Sequence, residues 1–229
     1  MLHHRLCVIG LPRSGSQYAV ELIKNNGLYP YLDLIEPFEI GKPYILLENN
    51  KIKLSNDKTC DEILRIENAL DIINKADKDQ PIITRAFYVK EQRKKFKEII
   101  DTLITSNFDF VVLKRNNVEQ HLISYGLALK TDIWTKFQGT VVPQKIEITH
   151  FNQMKWLYEH ILYFNEYIEN LNITYDLLHY ESIENDLSKI VGFAINTNTK
   201  IYKQANAVDP YVNIINADEV KSFMNKLLQ

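Results

Sequence analysis

The chain has 229 residues, 45% of them hydrophobic and 24% charged, with a net charge of −2. That suits one sizeable core and a soluble globular protein, read here as a single domain over 1–229. It argues against a broad basic face for nucleic acid, and no apolar run reaches the roughly 18 residues of a membrane span. The two cysteines, Cys7 and Cys60, indicate no disulfide framework and fit a reducing compartment.

The N-terminus runs straight into a strand-like segment whose apolar part is too short for a signal peptide, so the expected location is the cytoplasm with residue 1 as the start. "RLCVIG" (5–10) is nearly continuous in apolar residues and predicts a buried parallel strand. A short loop leads into a helical pattern from Gly15 to Asn26, with Gly27 as its C-cap. "YPYLDLIEPF" (29–38) predicts a strand that ends in a Pro-broken loop. "YILLENNKIKLS" (44–55) has two β-like runs about Asn49–Asn50 and reads as a hairpin. A helix is expected over 59–76, capped by Thr59, and a strand over 81–89. The amphipathic helix 90–104 follows, its "KEQRKKFKE" stretch read as a solvated face.

A buried strand over 108–115 ends in Lys114 and Arg115, and a helix is expected over 117–134. Then come a long aromatic-rich helix (150–171), a strand (173–181), a helix (182–195) and a short helix in the tail, "ADEVKSFMNKLL". Strand and helix alternate, which predicts an α/β fold with a mainly parallel central sheet and helices on both faces. Ligands of such sheets bind at the carboxyl ends of the strands. Three features fall there: the 11–16 loop, Glu36 and the Lys114–Arg115 pair.

The loop "GLPRSGS" (10–16) opens onto a helix N-terminus, which offers unpaired N–H groups and the positive end of a dipole. Gly15 lets the backbone approach an anion, Arg13 can fork onto phosphate or sulfate oxygens, and Ser14, Ser16 and Gln17 add polar side chains. A nucleotide-triphosphate loop would carry Lys where this chain has Ser16, and an acidic metal holder at a strand end. This chain ends that strand in Lys114–Arg115 instead. The site therefore reads as cationic through its side chains, with no metal.

The loop Pro12-Arg13-Ser14-Gly15-Ser16, followed much later by Arg115 at a strand end and Ser124 on the next helix, resembles the sulfotransferases that use 3′-phosphoadenosine-5′-phosphosulfate (PAPS). Gln120 or His121, Ser124, Ala128, Thr131 and Trp134 are similar to the bacterial trehalose sulfotransferase type, and "LLHYESIENDLSKIVGFA" resembles the family's later strand–helix. The resemblance spans about 5–40 and 108–208 and implies a P-loop-like sulfotransferase fold. Arg13, Ser14, Gly15, Ser16 and Gln17 would then hold the 5′-phosphosulfate, and Arg115 and Ser124 the 3′-phosphate, with Lys114 and Asn116 as rivals to Arg115. Tyr18 stands where cytosolic members have a Trp and would stack on adenine. The family's R-K-G-x-x-G segment is absent, with Lys200 or Lys203 as candidates for its charge.

The implied reaction moves a sulfuryl group onto a hydroxyl of a carbohydrate, glycolipid or other small metabolite. Arg13 would neutralise the leaving phosphate, and Glu36 would be the general base. Asp33, His121 and His150 are rival bases, and Glu39 reads as solvated. Arg85 is either a sulfate-facing residue or a surface one, and Trp134 either lines the acceptor pocket or packs. A small-metabolite kinase and a non-catalytic nucleotide-binding protein are the alternatives. The acceptor and the oligomeric state, a homodimer included, stay open.

Overall fold

The computed structural model describes residues 5–25, 31–32, 44–48, 51–55, 73–134, 145–191, 195, 197 and 209–229. The strands run β1 (Arg5–Gly10), β2 (Tyr31–Leu32), β3 (Tyr44–Glu48), β4 (Lys51–Ser55), β5 (Ile82–Phe87), β6 (Asp109–Lys114) and β7 (Tyr175–His179). The helices are α1 (Ser16–Asn25), α2 (Arg93–Thr105), α3 (Val118–Thr131), α4 (Phe151–Asn170), α5 (Ile183–Val191) and α6 (Ala217–Leu227). Five strands form one all-parallel sheet in the order β2-β5-β1-β6-β7. β3 and β4 pair antiparallel as a separate ribbon, as the two β-like runs suggest. The fold is α/β with a parallel sheet flanked by helices, as expected. Among the described residues no helix is long and apolar enough to cross a membrane.

The differences from the sequence expectation are at element ends. The helix expected over 90–104 begins with a 3-10 turn at 90–92, and α3 stops at Thr131, where Asp132 takes a left-handed φ of 55°. Of the helix expected over 59–76, only 73–75 falls among the described helical residues.

Every residue of β1 is buried, because the strand lies at the centre of a sheet covered on both faces. Its side chains alternate between two cores. Cys7 and Ile9 join Ile82, Ala86, Phe110 and Val112 under α2, α3, α4 and α6. Leu6 and Val8 join Ile83, Val111 and Leu113 under α1 and α5. The chain thus leaves β1 for one face and leaves β5 and β6 for the other. A crevice must open between such diverging connections, at the carboxyl end of β1.

The opposite end of β1 is fixed by Arg5, whose side chain is 1% exposed. Its guanidinium donates to the carbonyls of Ser106 (3.0 Å), Ala76 (3.3 Å) and Asp77 (2.6 Å) and lies 5.6 Å from the Phe108 ring centroid. Ser106 is the C-cap of α2, and Ala76 follows the helical turn 73–75. Helix C-termini carry unpaired carbonyls and the negative dipole end, so one cation serves two of them. Arg5→Met should cost about 3 kcal/mol, because it strands buried carbonyls and not merely a charge. A urea denaturation series would show this as a lower midpoint at unchanged slope. A loss within the half kcal/mol typical of a surface site would refute the clamp.

Candidate functional site: a cationic loop at the head of the central strand

Gly10 ends β1, and the turn into α1 is closed by the Ser14 amide donating to the Leu11 carbonyl (3.1 Å). Two residues of this turn have positive φ, Arg13 at 64° and Gly15 at 98°. A non-glycine residue in the left-handed region costs about 1–2 kcal/mol, so Arg13 must be held there by its contacts. At Gly15 a side chain is excluded twice over: its φ is a glycine conformation, and a Cβ would sit 2.3 Å from the Tyr180 ring.

The contacts that hold Arg13 come from α3, across the crevice. Its Nε and one terminal nitrogen both donate to Ser124 Oγ (3.2 and 3.1 Å), and the other terminal nitrogen donates to the Trp134 carbonyl. Arg115 donates to the Arg13 carbonyl at 3.3 Å, and its guanidinium lies 4.2 Å from the Tyr180 ring centroid. His121 donates from Nε2 to the Pro12 carbonyl at 2.7 Å. Side chain and backbone of the loop are therefore tied to residues that follow β6.

The turn after β6 is braced in its own right. Glu181 accepts from the amides of Asn116 and Asn117, both at 3.2 Å. The Asn117 side chain then caps α3 by accepting from the Gln120 amide at 2.9 Å. Tyr180 and Glu181 follow β7, so three strand ends meet here: β1, β6 and β7.

The electrostatics are those of an anion site. Burial first, and the Arg115 charge second, pull the Arg13 guanidinium down to about 10, where it stays positive at neutral pH. Arg115 is likewise lowered by burial. Arg115 Nε and Ser14 Oγ are buried without a hydrogen-bond partner among the described residues. The first amide of α1 to find a carbonyl is that of Ala19, on Gly15 (3.0 Å), so among the described residues the amides of Ser16, Gln17 and Tyr18 have no carbonyl partner. The first turn of α1 carries no acidic residue. Half-buried cations, unpaired donors and a helix N-terminus in one place match the chemistry of a phosphate or sulfate group. Among the described residues no group of three or more His, Cys, Asp or Glu could hold a metal ion.

Of the residues singled out in the sequence, Arg13, Ser14, Gly15, Ser16, Arg115 and Ser124 come together here, and Gln17 is half-buried on the first turn of α1. Tyr18 is different: its ring is 7% exposed in the α1–α5 core, and its hydroxyl donates to Glu184 at 3.0 Å. That is a core position, not an open platform for a base. Arg85 is no surface residue, being 4% exposed within β5 with its guanidinium 4.9 Å from the Phe87 centroid. The Trp134 ring packs edge-on against Tyr125 at 5.9 Å while its carbonyl serves Arg13. Glu36, with Asp33, Glu39, Lys200 and Lys203, lies outside the described residues. The roles of Tyr180, Glu181 and His121 in supporting the loop were not read from the sequence. The signal for the first two was the "HYES" stretch at the end of β7.

No protein-family model matches this chain, and a search of curated proteins finds no match.

Two outcomes follow from the loop geometry. Gly15→Ala should cost about 3 kcal/mol of stability, summing backbone strain and the overlap with Tyr180, and should abolish anion binding. Calorimetric unfolding together with a phosphate-ligand titration would check it, and a variant of ordinary stability and affinity would refute the geometry. His121 is held down to about 3, first by burial and also by Arg115 and Arg13, against the Pro12 bond that raises it. Between that value and about 6.5 the unfolded chain binds the extra proton. His121 therefore contributes stability that is full above pH 6.5 and lost as pH falls towards 3, at up to about 1.4 kcal/mol per unit. Denaturation over a pH series should show His121→Gln with a shallower acid limb than the natural chain. Identical limbs would show that His121 is not buried neutral.

Proposed function

We propose that this chain is a PAPS-dependent sulfotransferase of P-loop-like fold, acting in the cytoplasm on a hydroxyl of a carbohydrate, glycolipid or other small metabolite. The observation that carries the reading is one cluster: Arg13, and Arg115 and Ser124 from over a hundred residues later in sequence, converge on a glycine turn at a helix N-terminus. The resemblance assigns these same three residues to the two ends of one nucleotide. The unpaired Ser14 hydroxyl, Arg115 Nε and α1 amides supply donors that a phosphosulfate accepts from.

Sulfuryl transfer, like phosphoryl transfer, passes a group in line between two oxygens through a loose transition state, so the protein's part is position and charge. Arg13 would stabilise negative charge developing on the leaving phosphate, its left-handed backbone fixing where the guanidinium stands. Arg115 and Ser124 would anchor the remote 3′-phosphate, using binding energy away from the reacting atoms to orient the donor. Glu36 is the proposed base that takes the acceptor's hydroxyl proton. His121 is not suited to that part, since its Nε2–H is committed to the Pro12 carbonyl.

The reading is tested by thermal unfolding with adenosine 3′,5′-bisphosphate, beside AMP and ATP–Mg²⁺. A ligand at about a hundred times its dissociation constant adds about 2.7 kcal/mol. The bisphosphate should stabilise the protein more than AMP does, and Arg115→Ala should abolish that excess. Stabilisation by ATP–Mg²⁺ alone would replace the proposal with a kinase. No effect of the bisphosphate would end it.

A further inference from the structure

A second concentration of positive charge lies on the other side of the loop. The Tyr88 amide, one residue past β5, donates to the Gly10 carbonyl at 3.1 Å. Tyr88 is the floor of a cleft of about 470 Å³ between α2 and α4. One wall carries Lys90, Arg93, Lys94 and Lys97, and Glu166 on α4 is the single carboxylate among the lining residues. In a chain of net charge −2 this excess of cations is local. The stretch expected to be a solvated face is exposed, and its basic residues border the open cleft.

The cleft is built on a fixed base. Tyr88 packs against Phe96, Phe164 and Tyr167 with centroids 5.5, 5.7 and 4.9 Å away. The Tyr167 hydroxyl donates to the Arg93 carbonyl at 3.4 Å, and the Lys90 ammonium stands 3.3 Å from the Tyr163 centroid. Lys97 is held by Asp101 at 2.6 Å, so Lys90, Arg93 and Lys94 supply most of the available charge. Such order lowers the cost of binding.

The order β5-β1-β6 puts this cleft on one flank of the loop and Arg115 with Ser124 on the other. If the donor extends from the loop towards Arg115, as the proposed function has it, the acceptor approaches from the β5 flank, where the cleft begins. We infer that the cleft holds an anionic group of the acceptor. The acceptor is then a compact hydroxylated molecule bearing a carboxylate, sulfate or phosphate, not a neutral sugar. A cleft of this volume suits a small ligand. The part of this inference that concerns the acceptor rests on the proposed function; the anion site in the cleft does not.

The experiment is a calorimetric titration of the full chain with a trisulfated heparin disaccharide, with maltose as the neutral match and the 3′,5′-bisphosphate run in parallel. The sulfated disaccharide should bind at least about tenfold more tightly than maltose, a difference of about 1.4 kcal/mol. Arg93→Glu combined with Lys94→Glu should remove that advantage and leave the bisphosphate unaffected, while Arg115→Ala should do the reverse. Both charge reversals are on exposed residues in the first turn of α2, where acidic side chains are well tolerated, so folding should persist. Equal binding of the two disaccharides, or an advantage that survives the reversals, overturns the site. Tighter binding of a short single-stranded oligonucleotide than of the disaccharide overturns the small-molecule class. If the disaccharide binds as expected and the bisphosphate does not bind at all, the cleft stands as an anion site and its assignment to an acceptor falls.

Discussion

The site depends on one backbone constraint: the turn between β1 and α1 passes through positive φ at Arg13 and again at Gly15. Left alone, an arginine would not stay there. It stays because its side chain is tied to Ser124, its carbonyl to Arg115 and the preceding carbonyl to His121. Without those ties the turn would relax. The Gly15–Tyr180 approach adds a steric condition, since the ring fills the space a side chain would need. The loop is therefore shaped by residues that come after β6 and β7, and its conformation requires the whole sheet.

That dependence follows from where the cores lie. β1 feeds α1 on one face, while β6 feeds α3 on the other, so the two connections diverge and leave a gap at the strand ends. Arg13 reaches across the gap, which puts a cation where the backbone cannot close up. The sheet is then fixed from both ends of the same strand: Arg5 clamps helix carbonyls at its start, and Arg13 bridges the crevice at its finish.

Much of the fold was legible because apolar runs and helical periodicity are local signals. β1, β6 and α4 fall within a residue or two of the expected limits. The loop and its partners Arg115 and Ser124 were legible as a spaced motif. Tyr18 misled, because its place beside the loop suggested an open ring, while the sequence does not say which side of α1 faces α5. Arg85 read as either a sulfate-facing or a surface residue, and only the pairing of β5 between β1 and β2 shows why it is buried and the surface reading falls. The cationic cleft could not be read at all. "KEQRKKFKE" is the exposed face that its pattern suggests, and which helix stands opposite it depends on tertiary packing.

The arginines at the two ends of β1, Arg5 buried and Arg13 half-buried, show why one end of the strand is structural and the other is suited to a ligand. Arg5 sits among helix carbonyls, and the groups acting on its charge, Asp77 and Asp79, are both anionic. Those carboxylates offset part of the burial that lowers it. Arg13 has as its charged neighbour another guanidinium, that of Arg115; burial lowers both, as it lowers Arg5, and at Arg115 Glu181 acts in the opposite sense. Placing two like charges together away from water is unfavourable unless something of opposite sign shares the space. A neutral His121 beside them avoids a third charge, and Glu181, which accepts from the Asn116 and Asn117 amides, offsets the burial of Arg115 in part. A bound anion would relieve the repulsion that the fold builds in, and that is the physical reason to assign ligand binding to this end of the strand.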